Sequence, residues 1–129
     1  MAALDDRELR SLTSQAQTLG LAILVEVHNR KELRRAVDSG ARIIGVNNRN
    51  LHTLEVDLDA TRMLIEEMPP DVIGGAESGL QTASDLTELG RLGYSAFLIG
   101  EVLMRNPDPG EKLKELLGGV EPSSLPVLD

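Results

Sequence analysis

The chain has 129 residues, which at about 100–200 residues per domain is one domain or a piece of one. Apolar residues make up 41% and charged residues 26%, ordinary globular usage that excludes wholesale disorder. Thirteen Lys and Arg against 21 Asp and Glu give a net charge of −8, and aromatics amount to 2%, so neither a basic face for a phosphate backbone nor a platform for stacking bases is available. There is no cysteine, which removes disulfides, thiolate catalysis and cysteine metal sites. The longest purely apolar run, Leu21 to Val25, is five residues, against about 20 for a membrane span. The expectation is a soluble cytoplasmic protein with no nucleic-acid or membrane partner. A small anion held by local backbone groups stays open.

The first predicted element is a helix over Leu4–Leu19, with Leu4, Leu9, Leu12, Ala16 and Leu19 at mostly helical spacing, Asp5 and Asp6 at its start and Gly20 behind it. Leu21–Val25 then reads as a short strand buried on both faces, running out through Glu26, Val27 and His28. Asn29 caps a helix over Arg30–Ser39, closed by Gly40, and a second strand covers Arg42–Val46 and ends in Asn47, Asn48, Arg49 and Asn50. Residues 51–57 form a connector. A third helix, Leu58–Met68, is stopped by Pro69 and Pro70. The third strand, Asp71–Ala76, ends in Glu77, Ser78 and Gly79. Thr82 or Ser84 caps a helix to Leu92 with Gly93 behind it, and Ser95–Ile99 is the fourth strand, ending in Gly100 and Glu101. A short turn near Leu103 leads to a last helix over Gly110–Leu117, and 118–129 reads as a flexible tail.

Alternating short apolar strands and helices imply a parallel α/β sheet. Periodicity alone leaves two architectures open: an open doubly wound sheet, or four units of a (β/α)₈ barrel, for which about 250 residues is typical. The leading helix favours the barrel piece, because an open sheet usually begins with a strand.

In either architecture the C-terminal strand ends share one face, and that face carries the site. Here each strand ends in polar residues or glycine. Glu26 follows five apolar residues and precedes Val27, which places a carboxylate inside the strand, where burial costs several kcal/mol without a partner. Arg49 is one candidate partner. Asn47 and Arg49 have the two-residue spacing of one strand face. His28 and His52 fall in loops and read as solvated, with no metal-ligand spacing around them. Gly79 and Gly100 allow close backbone approach, and phosphate sites in barrels commonly follow the seventh and eighth strands. Glu101 is compatible with such a site if its side chain turns to solvent.

The stretches Leu24–His28 (LVEVH), Ile44–Leu51 (IGVNNRNL), Ala76–Gly79 (AESG) and Phe97–Arg105 (FLIGEVLMR) resemble indole-3-glycerol phosphate synthase in wording, order and spacing. The resemblance runs from about Leu4 to Leu117. It implies a (β/α)₈ TIM-barrel type, here a four-unit half-barrel with parallel strands, made of the fourth helix and units five to eight. It also implies the family's reaction in tryptophan biosynthesis: ring closure and decarboxylation of 1-(2-carboxyphenylamino)-1-deoxyribulose 5-phosphate, a carboxy-lyase activity without a cofactor or metal. Under it, Glu26, Asn47 and Glu77 are the catalytic residues, Arg49 and Ser78 bind substrate, and Gly79, Gly100 and Glu101 form the phosphate cradle.

Two departures stand out: Asn50 where an aspartate is frequent, and Gly74-Gly75 in a strand that is usually β-branched. The family's first strand brings a glutamate and a lysine, and its third strand brings the lysine taken as general acid. The segment before Glu26 contains no lysine. The chain therefore reads as residues 1–117 of half-barrel plus the tail 118–129, with half an active site and no expected activity alone. Its implied partners are a sugar-phosphate substrate and either the missing N-terminal half-barrel or another copy of itself. The competing readings are a non-catalytic self-associating half-barrel and a phosphate-binding module.

Overall fold

Capping side chains set where the helices begin. Asp5 accepts from the Glu8 amide at 2.8 Å and Glu8 reaches back to the Asp5 amide, so helix α1 runs Asp6–Thr18. Asn29 caps α2, Arg30–Asp38, through the Glu32 amide at 2.9 Å. Thr82, the first of the two candidates named from sequence, forms a second reciprocal box with Asp85 and starts α4, Ala83–Leu92. Asp108 caps α6, Pro109–Leu117, with Pro109 in the first turn, where a missing N–H is harmless. Between these lie α3, Leu58–Leu64, continued by a 3₁₀ turn over Ile65–Glu67, and the four-residue α5, Glu101–Met104. Gly93, at φ +124°, ends α4 in a conformation side chains rarely adopt.

This computed structural model describes residues 3–47, 58–77 and 79–118. The predicted connector 51–57 and all but the first residue of the predicted tail 118–129 lie outside the described residues. Four parallel strands, β1 Leu24–Val27, β2 Ile43–Val46, β3 Ile73–Ala76 and β4 Ala96–Phe97, form one sheet in the order β1-β2-β3-β4. All are shorter than the sequence suggests at their N-terminal ends, where residues such as Leu21 are exposed and unpaired with a neighbouring strand. Among the described residues no helix is long and apolar enough to cross a membrane.

The strands are not buried on both faces as expected. On one face Val25, Val27, Ile44, Val46 and Ala76 pack under Leu33 and Ala36 of α2, Leu64 of α3, Leu86 and Leu89 of α4, and Leu116 of α6. On the opposite face Leu24 is 49% exposed, and Glu26, Ile43 and Ile73 are half-buried. A continuous apolar run predicts double burial when both layers are present; here the helices supply one layer.

Gly74, read from sequence as a loosening of β3, has a packing role. A Cβ there would come 2.7 Å from Ile65 Cδ1 and 3.0 Å from Met68 Sδ, so the missing side chain lets the 3₁₀ turn press onto the sheet. Tyr94 closes the same corner, with its hydroxyl donating to the Thr61 carbonyl at 2.6 Å. Gly74→Ala is expected to destabilise the chain by about 1–3 kcal/mol through overpacking. An unchanged urea midpoint would show that Ile65 and Met68 move aside without cost.

Candidate functional site

Register assembles the site. Glu26 pairs with Gly45, Gly45 with Gly75, and Gly75 with Ala96, so one row crosses the open face of the sheet. The ladder then continues past the strand ends: the Asn47 amide donates to Val27 O at 3.0 Å, Glu77 to Val46 O at 3.0 Å, and Leu98 to Ala76 O at 2.9 Å. His28, Asn47, Glu77 and Leu98 thus follow two residues further on, on the same face.

Glu26 lies within β1, as expected, and its Oε1 accepts from Asn47 Nδ2 at 3.0 Å. Glu77 sits beside it, with its carboxyl over Gly45 of β2. Burial, then the charge of Glu26, then hydrogen bonding with Glu26 raise the Glu77 carboxyl to about 7, with His28 opposing. Glu77 Oε2 is buried and has no hydrogen-bond partner among the described residues. The Glu77 carboxyl thus keeps its proton up to about pH 7, where an ordinary carboxyl is fully ionised.

For His28 the structure corrects the expectation. It does lie in the bend after β1, but it is not solvated: its side chain is 20% exposed and lies between two carboxylates, with Nε2 3.3 Å from Glu26 Oε1 and Nδ1 3.0 Å from Glu32 Oε1. Glu32, missed from sequence, also accepts from the His28 backbone amide at 3.0 Å. A carboxylate can only accept, so the Glu32 contact places a proton on Nδ1. The available signal was Glu32 three residues after the cap Asn29, a capping-box spacing.

The sequence placed the phosphate cradle one to two units further along the sheet. Gly79, at φ +78°, Gly100 and Glu101 line one open cleft of about 980 Å³ together with Glu77, Asp85, Arg105 and Lys112. A Cβ at Gly100 would meet nothing within 4 Å, so internal packing does not demand glycine there. Glu101 opens α5 and pairs with Arg105, which turns its carboxylate along the helix surface. Arg49, Ser78 and His52 lie outside the described residues. No group of three or more His, Asp or Glu side chains arranged to hold a metal occurs among the described residues.

Parallel βα units with helices on one face and the polar groups gathered at the C-terminal strand ends define the class: this is a four-unit half-barrel of the (β/α)₈ TIM-barrel type. Solved structures agree on the fold. A thiamine phosphate pyrophosphorylase from Pyrococcus furiosus aligns with 82% of this chain and 51% of its own at a TM-score of 0.65 and 21% identity. A mandelate oxidase variant aligns with 89% and 41% at a TM-score of 0.68 and 19% identity. More particularly, the family model described as indole-3-glycerol phosphate synthase matches residues 1–116, and the chain belongs to that family. Indole-3-glycerol phosphate synthase from Koribacter versatilis is 49% identical over 118 residues, 92% of this chain and 45% of the relative. That from Albidiferax ferrireducens is 48% identical over 115 residues, 89% of this chain and 44% of the relative. The chain thus spans a little under half the length of these curated relatives.

The Glu77 carboxyl has a consequence for stability. Its folded value of about 7 lies above the ordinary 4.5, so the folded chain holds more protons than the unfolded chain between those values. The associated stability is fully present below pH 4.5 and is lost as pH rises through 7. Glu77→Gln, neutral throughout, should flatten this decline and exceed the parent above pH 7 by roughly 1–2 kcal/mol, a figure reduced for solvent screening of a half-buried group. Melts between pH 5 and 8 that run parallel for the two proteins would contradict it.

Proposed function

We propose that this chain contributes the second half of an indole-3-glycerol phosphate synthase active site. The reaction is ring closure and decarboxylation of 1-(2-carboxyphenylamino)-1-deoxyribulose 5-phosphate, in the cytoplasm. The observation that carries the reading is the apposition of Glu26 and Glu77 on the open face, with Asn47 donating to Glu26 at 3.0 Å and the Glu77 carboxyl raised to about 7. Ring closure needs a group that holds a proton near neutrality, a basic neighbour and a fixed geometry between them. Glu77 supplies the first, Glu26 the second, and Asn47 orients Glu26. Gly79, Gly100 and Glu101 line the cleft in which backbone N–H groups would face the substrate phosphate. Arg49 and Ser78 are assigned to substrate binding on the family resemblance.

In this reading the remaining acid, a lysine, belongs to the other half of the barrel, and its absence removes a factor typically worth about 10²–10⁴ in rate. The purified chain is expected to be inactive, to gain activity when barrel units one to four are supplied in trans, and to lose that gain on Glu26→Gln. An ordinary enzymatic rate of indole-3-glycerol phosphate formation by the 129-residue chain alone would overturn the assignment.

The open face favours a second statement about assembly. Leu24 is 49% and Leu98 57% exposed on that face, and β1 and β4 are unpaired edges of the described sheet. Without the other half-barrel, another copy of the chain covers this surface. Sedimentation should find a dimer or larger species, and a cooperatively unfolding monomer would argue against self-association.

A further inference from the structure

We propose that Gly45 is a positioning residue of this site: the space left by its missing side chain is the seat in which the Glu77 carboxyl lies, facing Glu26. An ideal Cβ at Gly45 would stand 2.5 Å from Glu77 Oε2, 2.8 Å from Cδ and 3.2 Å from Cγ. Three atoms of one side chain therefore occupy the volume a methyl would take. Backbone conformation does not account for the glycine, because Gly45 has no positive φ and sits in regular parallel pairing between Glu26 of β1 and Gly75 of β3. Glycine in the interior of a strand is unfavourable, and there it commonly marks a close approach by another group.

The neighbouring glycine supplies the contrast. A Cβ at Gly75, in the same row of the same face, would meet nothing nearer than 3.8 Å, an ordinary contact. The close approach is specific to Gly45. A side chain there would lift Glu77 off the sheet toward water and away from Glu26. The groups bearing on the Glu77 carboxyl are Glu26 of β1 and His28 just after it, with Asp85 of α4, Glu101 of α5, Arg105 at the end of α5 and Lys112 of α6 lining the cleft. Lifting the carboxyl out weakens the burial and the Glu26 repulsion together, and both hold its proton on.

The inference rests on reading Glu77 as the proton-holding group, and its test measures placement, not turnover. In the full chain with ¹³C-labelled glutamate carboxyls, the Glu77 resonance should titrate near 7 in the parent. It should move down by about one pH unit or more in Gly45→Ala and stay in place in Gly75→Ala. An unmoved midpoint in Gly45→Ala, or an equal shift in Gly75→Ala, would overturn the positioning role. Folding is tested by a cycle. If Gly45→Ala is destabilised by meeting Glu77, adding Glu77→Ala, which removes the atoms in the way, should restore most of the loss. A loss that persists undiminished in the double variant would also overturn the role. A parent Glu77 that titrates as an ordinary carboxylate would defeat the proton-holding reading instead, and the stability cycle would still decide Gly45.

Discussion

Parallel register is the constraint on which the rest of this structure depends. Because Glu26 pairs with Gly45 and Gly45 with Gly75, a carboxylate on β1 faces two positions without side chains on β2 and β3. The ladder carried one step further puts Asn47 and Glu77 on that face beside it. A slip by one residue would turn Glu26 and Glu77 into the apolar layer and bring Val27 and Ala76 to the open side, at the cost of the buried cluster. The same hydrogen bonds that hold the sheet therefore hold the site, and the helices stabilise both by covering the opposite face.

Two carboxyl groups on one face repel when both are ionised, and the surroundings make them unequal. Glu26 is 41% exposed, accepts from Asn47 and stands near the His28 ring, so its charge has partners. Glu77 lies deeper, with one oxygen buried and without a hydrogen-bond partner among the described residues. Glu77 accordingly holds its proton up to about pH 7. Neighbouring carboxyls driven apart in this way are a recurrent means of obtaining an acid and a base from the same chemical group. His28 extends the arrangement to Glu32, which is buried at the first turn of α2 and ties the ring to the helix start. The glycines are part of the same division of labour: Gly45 admits a carboxyl on the open face, and Gly74 admits Ile65 and Met68 on the packed face.

One-sided packing explains the polarity of the exposed surfaces. The helices bury one side of the sheet, while Leu24 and Leu98 remain open on the other. In a barrel of this type the interior is filled by layers of side chains contributed around the whole ring. The described strands contribute only their share of those layers, consistent with a chain that spans 45% of its Koribacter relative. Glu26, Asn47 and Glu77 stand on that open face, at the C-terminal ends of the strands.

Much of this was legible in the amino-acid sequence because it depends on local physics. Asn29, Thr82 and the glycines after α2 and α4 announce helix ends through capping and backbone freedom, and short apolar runs between them announce strands. The order of those elements implies a parallel sheet whose C-terminal ends carry Glu26, Asn47, Glu77 and Gly100. Tertiary structure decided the rest, because it depends on which residues meet across strands. Pairing distance, not composition, brought Glu77 over Gly45 and against Glu26, and so kept its proton. It also drew His28 out of solvent, bound to Glu32 and with its Nε2 turned toward Glu26. A carboxylate's charge follows from its neighbours in space, and a single sequence names the groups without saying which of them touch.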